Sequence, residues 1–368
     1  VVDLPSNSLC DMDTLVFRAK ITTSVTNGGG GAALPKHIES IIDKVVVEIN
    51  GQTLGSCSSL NHVYNLILQY QNGSDLKVKR TPYQNGAGSS ANPVSVTDQP
   101  IAIHSLLGFC SSVQPTIIDT ALLGNVRIHL YLSPATVLPI SPGATGATYT
   151  LNNCYYMIDT IAIDDQIFYN LHNEFLLSGG VYSYPFTSLY TALFSVSSQT
   201  QSSRFSINTG SLDMLSACFL SAHGVQGTVN SNIYTSEYFR KNGNDVDSWQ
   251  WEVNGVSIPQ FQADKADTLP LALNALNLSQ DTLGGFDSLI TSDSAYRSNF
   301  FAPVIRLNHN CSEDERMVSG ISTLGNSANI VFKSTAASST TFSGQLLLVA
   351  WTTSILRVSA GRSISIVS

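Results

Sequence analysis

The stretch Val45–Leu54, VVVEINGQTL, returns as Gln250–Ile258, QWEVNGVSI, with Glu48 and Glu252 separated by 204 positions. In both copies β-branched or aromatic residues lead into Glu, one apolar residue and then Asn-Gly. That dipeptide most readily supplies the two positive φ angles of a type I′ hairpin turn. The spacing predicts hairpin turns at Asn50-Gly51 and at Asn254-Gly255. Three further echoes keep nearly the same offset. Ser8-Leu9-Cys10-Asp11-Met12 matches Ser211-Leu212-Asp213-Met214, Leu123-Gly124-Asn125 matches Leu324-Gly325-Asn326, and Thr148-Tyr149-Thr150 matches Thr341-Phe342-Ser343. Four patches in one order at similar distances point to one β unit used twice.

A chain of 368 residues has room for two such units, each able to bury about 70% of its unfolded surface. After a polar arm over 1–12, alternation from Leu15 to Thr22 reads as a strand with one face inward. Gly28–Gly31 reads as a flexible loop, because a phosphate-cradling loop needs a following Lys-Ser/Thr and a helix. Ile41–Ile49 is the strand that Asn50-Gly51 closes. Leu60, Val63, Tyr64, Ile67 and Leu68 fall at helical spacing. The Gly-, Asn- and Pro-rich segment 71–100 reads as a long loop, followed by strands over 101–106, 117–123 and 126–132. Residues 149–163 read as two strands broken near Asn152 or Asp159. Gly179-Gly180 and Pro185 mark the junction, so the units are expected over 1–178 and 179–368.

In the second unit, strands are expected at 190–196, 204–207, 214–220 and 249–253. A helix is expected around Leu269–Leu276, with Pro270 in its first turn. Late strands are expected near Val304, Val318, Ile330, 346–351, 355–358 and 363–367. Many short strands, few helices and no βαβ alternation argue for an antiparallel sandwich.

Charged residues make up only 12% of the chain against 43% apolar, and the mean hydropathy is +0.11. The longest unbroken apolar run, Leu346–Trp351, is far below the roughly 18–20 residues of a spanning helix. The chain therefore reads as soluble, with a surface of Ser, Thr, Asn, Gln and Gly. Scarcity of Lys and Glu is also the mark of large permanent protein interfaces. A net charge of −8 excludes the basic stripe that direct nucleic-acid packaging needs, and Lys77-Val78-Lys79-Arg80 reads as a solvated loop. The six cysteines, at 10, 57, 110, 154, 218 and 311, form no CxxC pair; they read as small buried apolar residues in a reducing compartment. No signal peptide is visible, and a leader or arm before Val1 is left open.

Two tandem eight-stranded sandwiches, each with an apolar-Asn-Gly hairpin and a flanking helix, resemble the double jelly-roll major capsid proteins of icosahedral viruses, the lineage that includes tectiviruses and adenoviruses. The resemblance is carried by VVVEINGQTL, QWEVNGVSIPQF, SGISTLGNSANIVFKS and SGQLLLVAWTTSILRVSAG. It implies an all-β double jelly roll with short flanking helices and a homotrimer of pseudo-hexagonal outline that tiles a virion shell assembled inside a host cell. It also implies contacts with neighbouring capsomers, penton and minor capsid proteins, in some members above an internal membrane. Neither a cofactor nor an enzymatic activity is implied.

Rival chemistry is sparse. A metal cupin needs a His-x-His pair, and the seven histidines, at 37, 62, 104, 129, 172, 223 and 309, include none. Asp164-Asp165 reads as a turn, since adjacent strand residues point to opposite faces. His172 with Glu174, and Glu313–Arg316, read as interface ion pairs or hydrogen bonds. Trp249, Trp251 and Trp351, with sequons at Asn72, Asn277 and Asn310, motivate the second reading, a secreted jelly-roll lectin or adhesin. Two of the tryptophans alternate on one strand face, however, and read rather as a core or domain interface than as a stacking platform.

Overall fold

The computed structural model describes residues 1–71, 93–104, 106–162, 166–220, 223–225, 227–230, 235–276, 292–308, 320–325, 330–337 and 340–367. The first half contains β1 (Val2–Asp3), β2 (Leu9–Asn27), β3 (Ile42–Ile49), β4 (Gln52–Cys57), β5 (Gln99–Ile103), β6 (Ile117–Asp119), β7 (Val126–Leu132) and β8 (Thr145–Ile161). One sheet has the order β1-β7-β3-β4; in the other β2 pairs with β5, β6 and β8. Helix α1 (Leu60–Gln71) follows the first hairpin, and single helical turns α2 (Phe109–Ser112) and α3 (Thr120–Leu123) flank β6.

Helix α4 (Gln166–Leu177) leads into the second half, with strands β9 (Tyr182–Val196), β10 (Thr200–Phe205), β11 (Leu212–Leu220), β12 (Val229–Asn230), β13 (Thr235–Ser236), β14 (Val246–Val253), β15 (Val256–Asp264), β16 (Val304–Arg306), β17 (Ile330–Ala336), β18 (Gly344–Ser359) and β19 (Ser363–Val367). Helix α5 (Thr268–Ala275) follows the hairpin β14–β15, as α1 follows β3–β4, and α6 (Asp293–Asn299) precedes β16. The sheet order β10-β17-β14-β15 repeats β1-β7-β3-β4 strand for strand. Each half is an antiparallel jelly roll, and the chain is all-β with short flanking helices.

Alternating burial builds both cores. β14 reads buried at Val246, Trp249, Trp251 and Val253, its opposite face being partly solvated, as a strand with one inward face requires. Trp249 and Trp251 are fully buried; the Trp249 indole N–H donates to Thr268 Oγ1 at 2.9 Å, tying α5 to the sheet, and Trp251 packs on Phe332.

Several elements differ from the sequence reading. The polar arm over 1–12 holds β1 and the start of β2, because Leu4, Cys10 and Met12 are buried in the first core. Gly28–Gly31 is pinned, not free: Gly31 N–H donates to Ser141 Oγ at 3.0 Å, and a Cβ on Gly28 would meet Gly143 O at 2.5 Å. Thr120–Leu123 is a helical turn capped by the Asp119 carboxylate, which accepts from Ala121 N–H at 2.8 Å, so the strand ends at Asp119. Residues 145–161 form one strand, since Asn153 turns through a positive φ of 50° at an irregularity without ending the ladder. Pro185 lies inside β9, paired with Ile355; it is tolerated there because β9 lies at a sheet edge and its missing N–H costs no ladder bond. Residues 355–358 continue β18. The strand expected near Val318 lies outside the described residues.

Candidate functional site

The two Asn-Gly turns come first, because they fix the register of each hairpin. Asn50 and Gly51 have φ of 48° and 79°, and Asn254 and Gly255 have 50° and 82°. Both residues of each turn thus occupy the left-handed region that Asn and Gly tolerate best. The Asn side chains add a clamp that sequence reasoning missed. Asn50 Nδ2 donates to Leu123 O at 2.8 Å while its Oδ1 accepts from Asn125 N–H at 3.1 Å. Asn254 Nδ2 donates to Ser322 O at 3.1 Å, beside Leu324-Gly325. In the first roll the Leu123-Gly124-Asn125 echo is therefore the partner of the Asn50-Gly51 turn, whereas in the second roll the bond from Asn254 falls on Ser322, two residues before Leu324. Gly124 has φ of 79°, and a Cβ there would strike the Asn50 side chain at 2.3 Å. The glutamates before the turns match too: His129 Nε2 lies 3.3 Å from Glu48 Oε2, and Lys333 pairs with Glu252 at the position 204 residues later. Gly51→Val or Gly255→Val is expected to cost about 1–2 kcal/mol, because a β-branched side chain is strained at positive φ. A urea midpoint unchanged in both variants would contradict the turn conformation.

The seam between the two rolls carries a cluster of buried polar side chains. Helix α1 is buried along Leu60–Leu66, polar residues included. Its Asn61, His62 and Asn65 meet the segment 223–241 of the second roll. His62 Nε2 and His223 Nδ1 are 2.9 Å apart, the His62 ring stacks on Tyr238 at 4.7 Å, and Phe239 meets it edge-on. Asn61 Nδ2 donates to the Tyr238 hydroxyl at 3.3 Å, and the buried Lys241 ammonium donates to Asn65 Oδ1 at 2.6 Å. Burial holds His62 well below the usual imidazole range, with His223 and Lys241 adding to the shift. Burial also lowers His223, against the pull of Asp43, whose own carboxyl is raised by burial. Both imidazoles are thereby kept neutral and can share one N–H···N bond. Backbone bonds reinforce the seam: Ile140 N–H donates to Gly227 O, and Val229 N–H donates to Ile140 O.

Other sequence candidates scatter. His172 sits on α4 among Phe168 and Tyr182, not against Glu174. Asp164-Asp165, Lys77–Arg80, Glu313–Arg316 and the three sequons lie outside the described residues. Four cysteines, at 10, 57, 110 and 218, are buried, and Cys154 is exposed on β8, contrary to the uniform burial expected of them. Burial pushes the Cys57 and Cys110 thiols up to about 12, which suits apolar filling and not nucleophilic chemistry. With Trp249 and Trp251 fully buried and Trp351 8% exposed, the tryptophans offer no stacking platform, and the lectin reading loses that motive.

One surface is unusually apolar. From β8 through α4 to the start of β9 the chain exposes Tyr155, Met157, Ile161, Leu171, Phe175, Leu177 and Val181, with Leu177 at 82% and Leu171 at 60%. Large exposed apolar side chains, where they adjoin, suit a contact site. Among the described residues no helix is long and apolar enough to cross a membrane.

No protein-family model and no curated protein matches the chain. Solved structures do. PBCV-1 VP54, fitted into a cryo-EM reconstruction of the virophage Sputnik, is similar at TM-score 0.64 and 13% identity, over 99% of this chain and 91% of that one. A quasi-atomic model of the PBCV-1 virus capsid gives 0.62 at 12% identity, covering 98% and 90%. The Faustovirus major capsid protein gives 0.61 at 6% identity, covering 96% and 86%. Similarity over at least 96% of this chain and 86% of each of those chains, with the order of one four-stranded sheet repeated in each half, assigns the chain the double jelly-roll fold.

Proposed function

We propose that the protein is a major capsid subunit: a structural protein whose two like rolls, divided between residues 178 and 179, let three copies present six similar wedges and tile a hexagonal lattice in a virion shell. The observation that carries this reading is the duplication within one chain of the four-stranded sheet β1-β7-β3-β4 as β10-β17-β14-β15. It is supported by the fold likeness to viral capsid proteins, by the 12% charge content and by the apolar surface around α4. A trimer built on such faces buries several thousand Å2 in total, on the order of obligate interfaces, and so accounts for an apolar chain with few charges. Neighbouring trimers, penton and minor capsid proteins are the further contacts of such a subunit.

Leu171 and Leu177 are the exposed anchors of the α4 surface. The double variant Leu171→Glu, Leu177→Glu is expected to weaken self-association at least about tenfold, because it buries charge in an apolar contact. Sedimentation velocity over a concentration series measures this. Wild-type association by the folded variant would remove α4 from the interface.

A further inference from the structure

The twin hairpins present one reactive pair in two different holds. Asn50-Gly51 and Asn254-Gly255 share their left-handed φ angles, and all four residues are exposed. Neither glycine N–H has a partner among the described residues. A backbone nitrogen whose residue has no Cβ is the least hindered nucleophile that a chain can set beside a carboxamide. Because nitrogen and carboxamide belong to one dipeptide, their reaction has the advantage of an intramolecular step. The two turns differ in how firmly the carboxamide is kept away from that nitrogen.

Asn50 is held at both ends. Its Nδ2 donates to Leu123 O at 2.8 Å and its Oδ1 accepts from Asn125 N–H at 3.1 Å. Gly124 closes the box, since a Cβ there would strike the Asn50 side chain. Asn254 keeps the donor bond alone, to Ser322 O at 3.1 Å, and its Oδ1 has no partner among the described residues. Gly325, the counterpart of Gly124, stands apart: a Cβ on it would meet nothing within 4 Å, and its N–H is taken by Asn208 Oδ1 at 3.2 Å. The other Asn-Gly pairs among the described residues are restrained as well. Gly243 N–H donates to Arg297 O at 2.8 Å while Asn242 Oδ1 accepts from Asn244 N–H at 3.1 Å. Asn27 is the last rung of the β2–β8 ladder, and Gly28 is packed on Gly143.

We propose that Asn254 is a site of spontaneous covalent modification, converted by attack of the Gly255 backbone nitrogen on its Cγ, and that its twin Asn50 is spared. The Gly255 N–Cγ bond forms as the Cγ–Nδ2 bond breaks, and the Gly255 amide proton leaves with Nδ2 as ammonia. Solvent water then opens the cyclic imide at either carbonyl, leaving aspartate or isoaspartate. Each event adds one carboxylate to the chain. That carboxylate has no N–H to donate to Ser322 O, and it lies two residues from Glu252, whose charge is already matched by Lys333. The hairpin β14–β15 thus loses its tie to residue 322 and gains repulsion in its place. The reaction needs no second molecule of the chain, so it stands apart from the capsid reading.

The test incubates the purified protein in warm, mildly alkaline buffer and follows both peptides by mass spectrometry, with fragmentation that separates aspartate from isoaspartate. Asn254 is expected to convert at least about tenfold faster than Asn50, because the first turn must break one more side-chain hydrogen bond before its carboxamide can swing. The same chain unfolded in urea is the control: there both sites are expected to convert at closely similar rates, which assigns the difference to the fold. Equal rates in the folded protein, or a faster Asn50, would overturn the proposal. So would an Asn254 that stays intact in the folded chain while the unfolded chain converts.

Discussion

Asn65→Leu is expected to destabilise the protein by about 3 kcal/mol, because it deprives a buried ammonium of an acceptor while filling the site with carbon. Lys241 Nζ lies 2.6 Å from Asn65 Oδ1, and both side chains are buried. The two residues belong to different rolls, so the bond couples the rolls as well as satisfying a charge. Lys241→Met is expected to cost much less, since an apolar chain of similar length removes the charge together with its need for an acceptor. Combining the two changes is therefore expected to recover most of the Asn65→Leu loss, giving a coupling of about 1–3 kcal/mol in a double-mutant cycle. Equilibrium urea unfolding measures all four corners. A loss below about 0.5 kcal/mol for Asn65→Leu would mean that the bond contributes nothing to joining the rolls.

Lowering the pH from 7 to 5 is expected to loosen the same seam. His62 is held well below its usual pKa of 6.5 and His223 is lowered as well. Above pH 6.5 both rings are neutral in the folded and unfolded chains, so they add no pH dependence. Below it the unfolded chain takes up protons that the folded one refuses, so stability falls as the pH falls, with the buried His62 contributing more than the half-exposed His223. Asp43, raised by burial, acts in the opposite sense and at more acid pH: just above its usual value of 3.8 the folded chain holds the extra proton, so there it favours folding as pH falls. The expected result is a urea midpoint that drops between pH 7 and 5 in the wild type and drops less in His62→Gln. Identical pH profiles would show that the His62–His223 contact does not sense protons.

The hairpins, α1 and α5 were legible because their information is local. Asn-Gly supplies the turn, and Leu60, Val63, Tyr64, Ile67 and Leu68 mark the helix by spacing alone. The break expected within β8 failed for the converse reason: Asn152-Asn153 has turn chemistry, but ladder bonds to β2 on both sides hold Asn153 inside the strand. Helix α4 was missed because, among its described apolar side chains, Leu176 is buried while Tyr169, Leu171, Phe175 and Leu177 are exposed, so its pattern serves a surface and not a core. The seam lay beyond any spacing rule, with His62 and His223 separated by 161 positions. A signal was nevertheless present: α1 carries Asn61, His62 and Asn65 close together on one side of its first two turns, and polar groups gathered on a buried helix need partners.

The central claim is that two like rolls exist in one chain in order to fit against copies of themselves. Light scattering from the purified protein, coupled to size-exclusion chromatography, tests it most directly. The account predicts a mass three times the 39.5 kDa of one chain, or a larger multiple of that trimer. A single, stable 39.5 kDa species at micromolar concentration and above would contradict it.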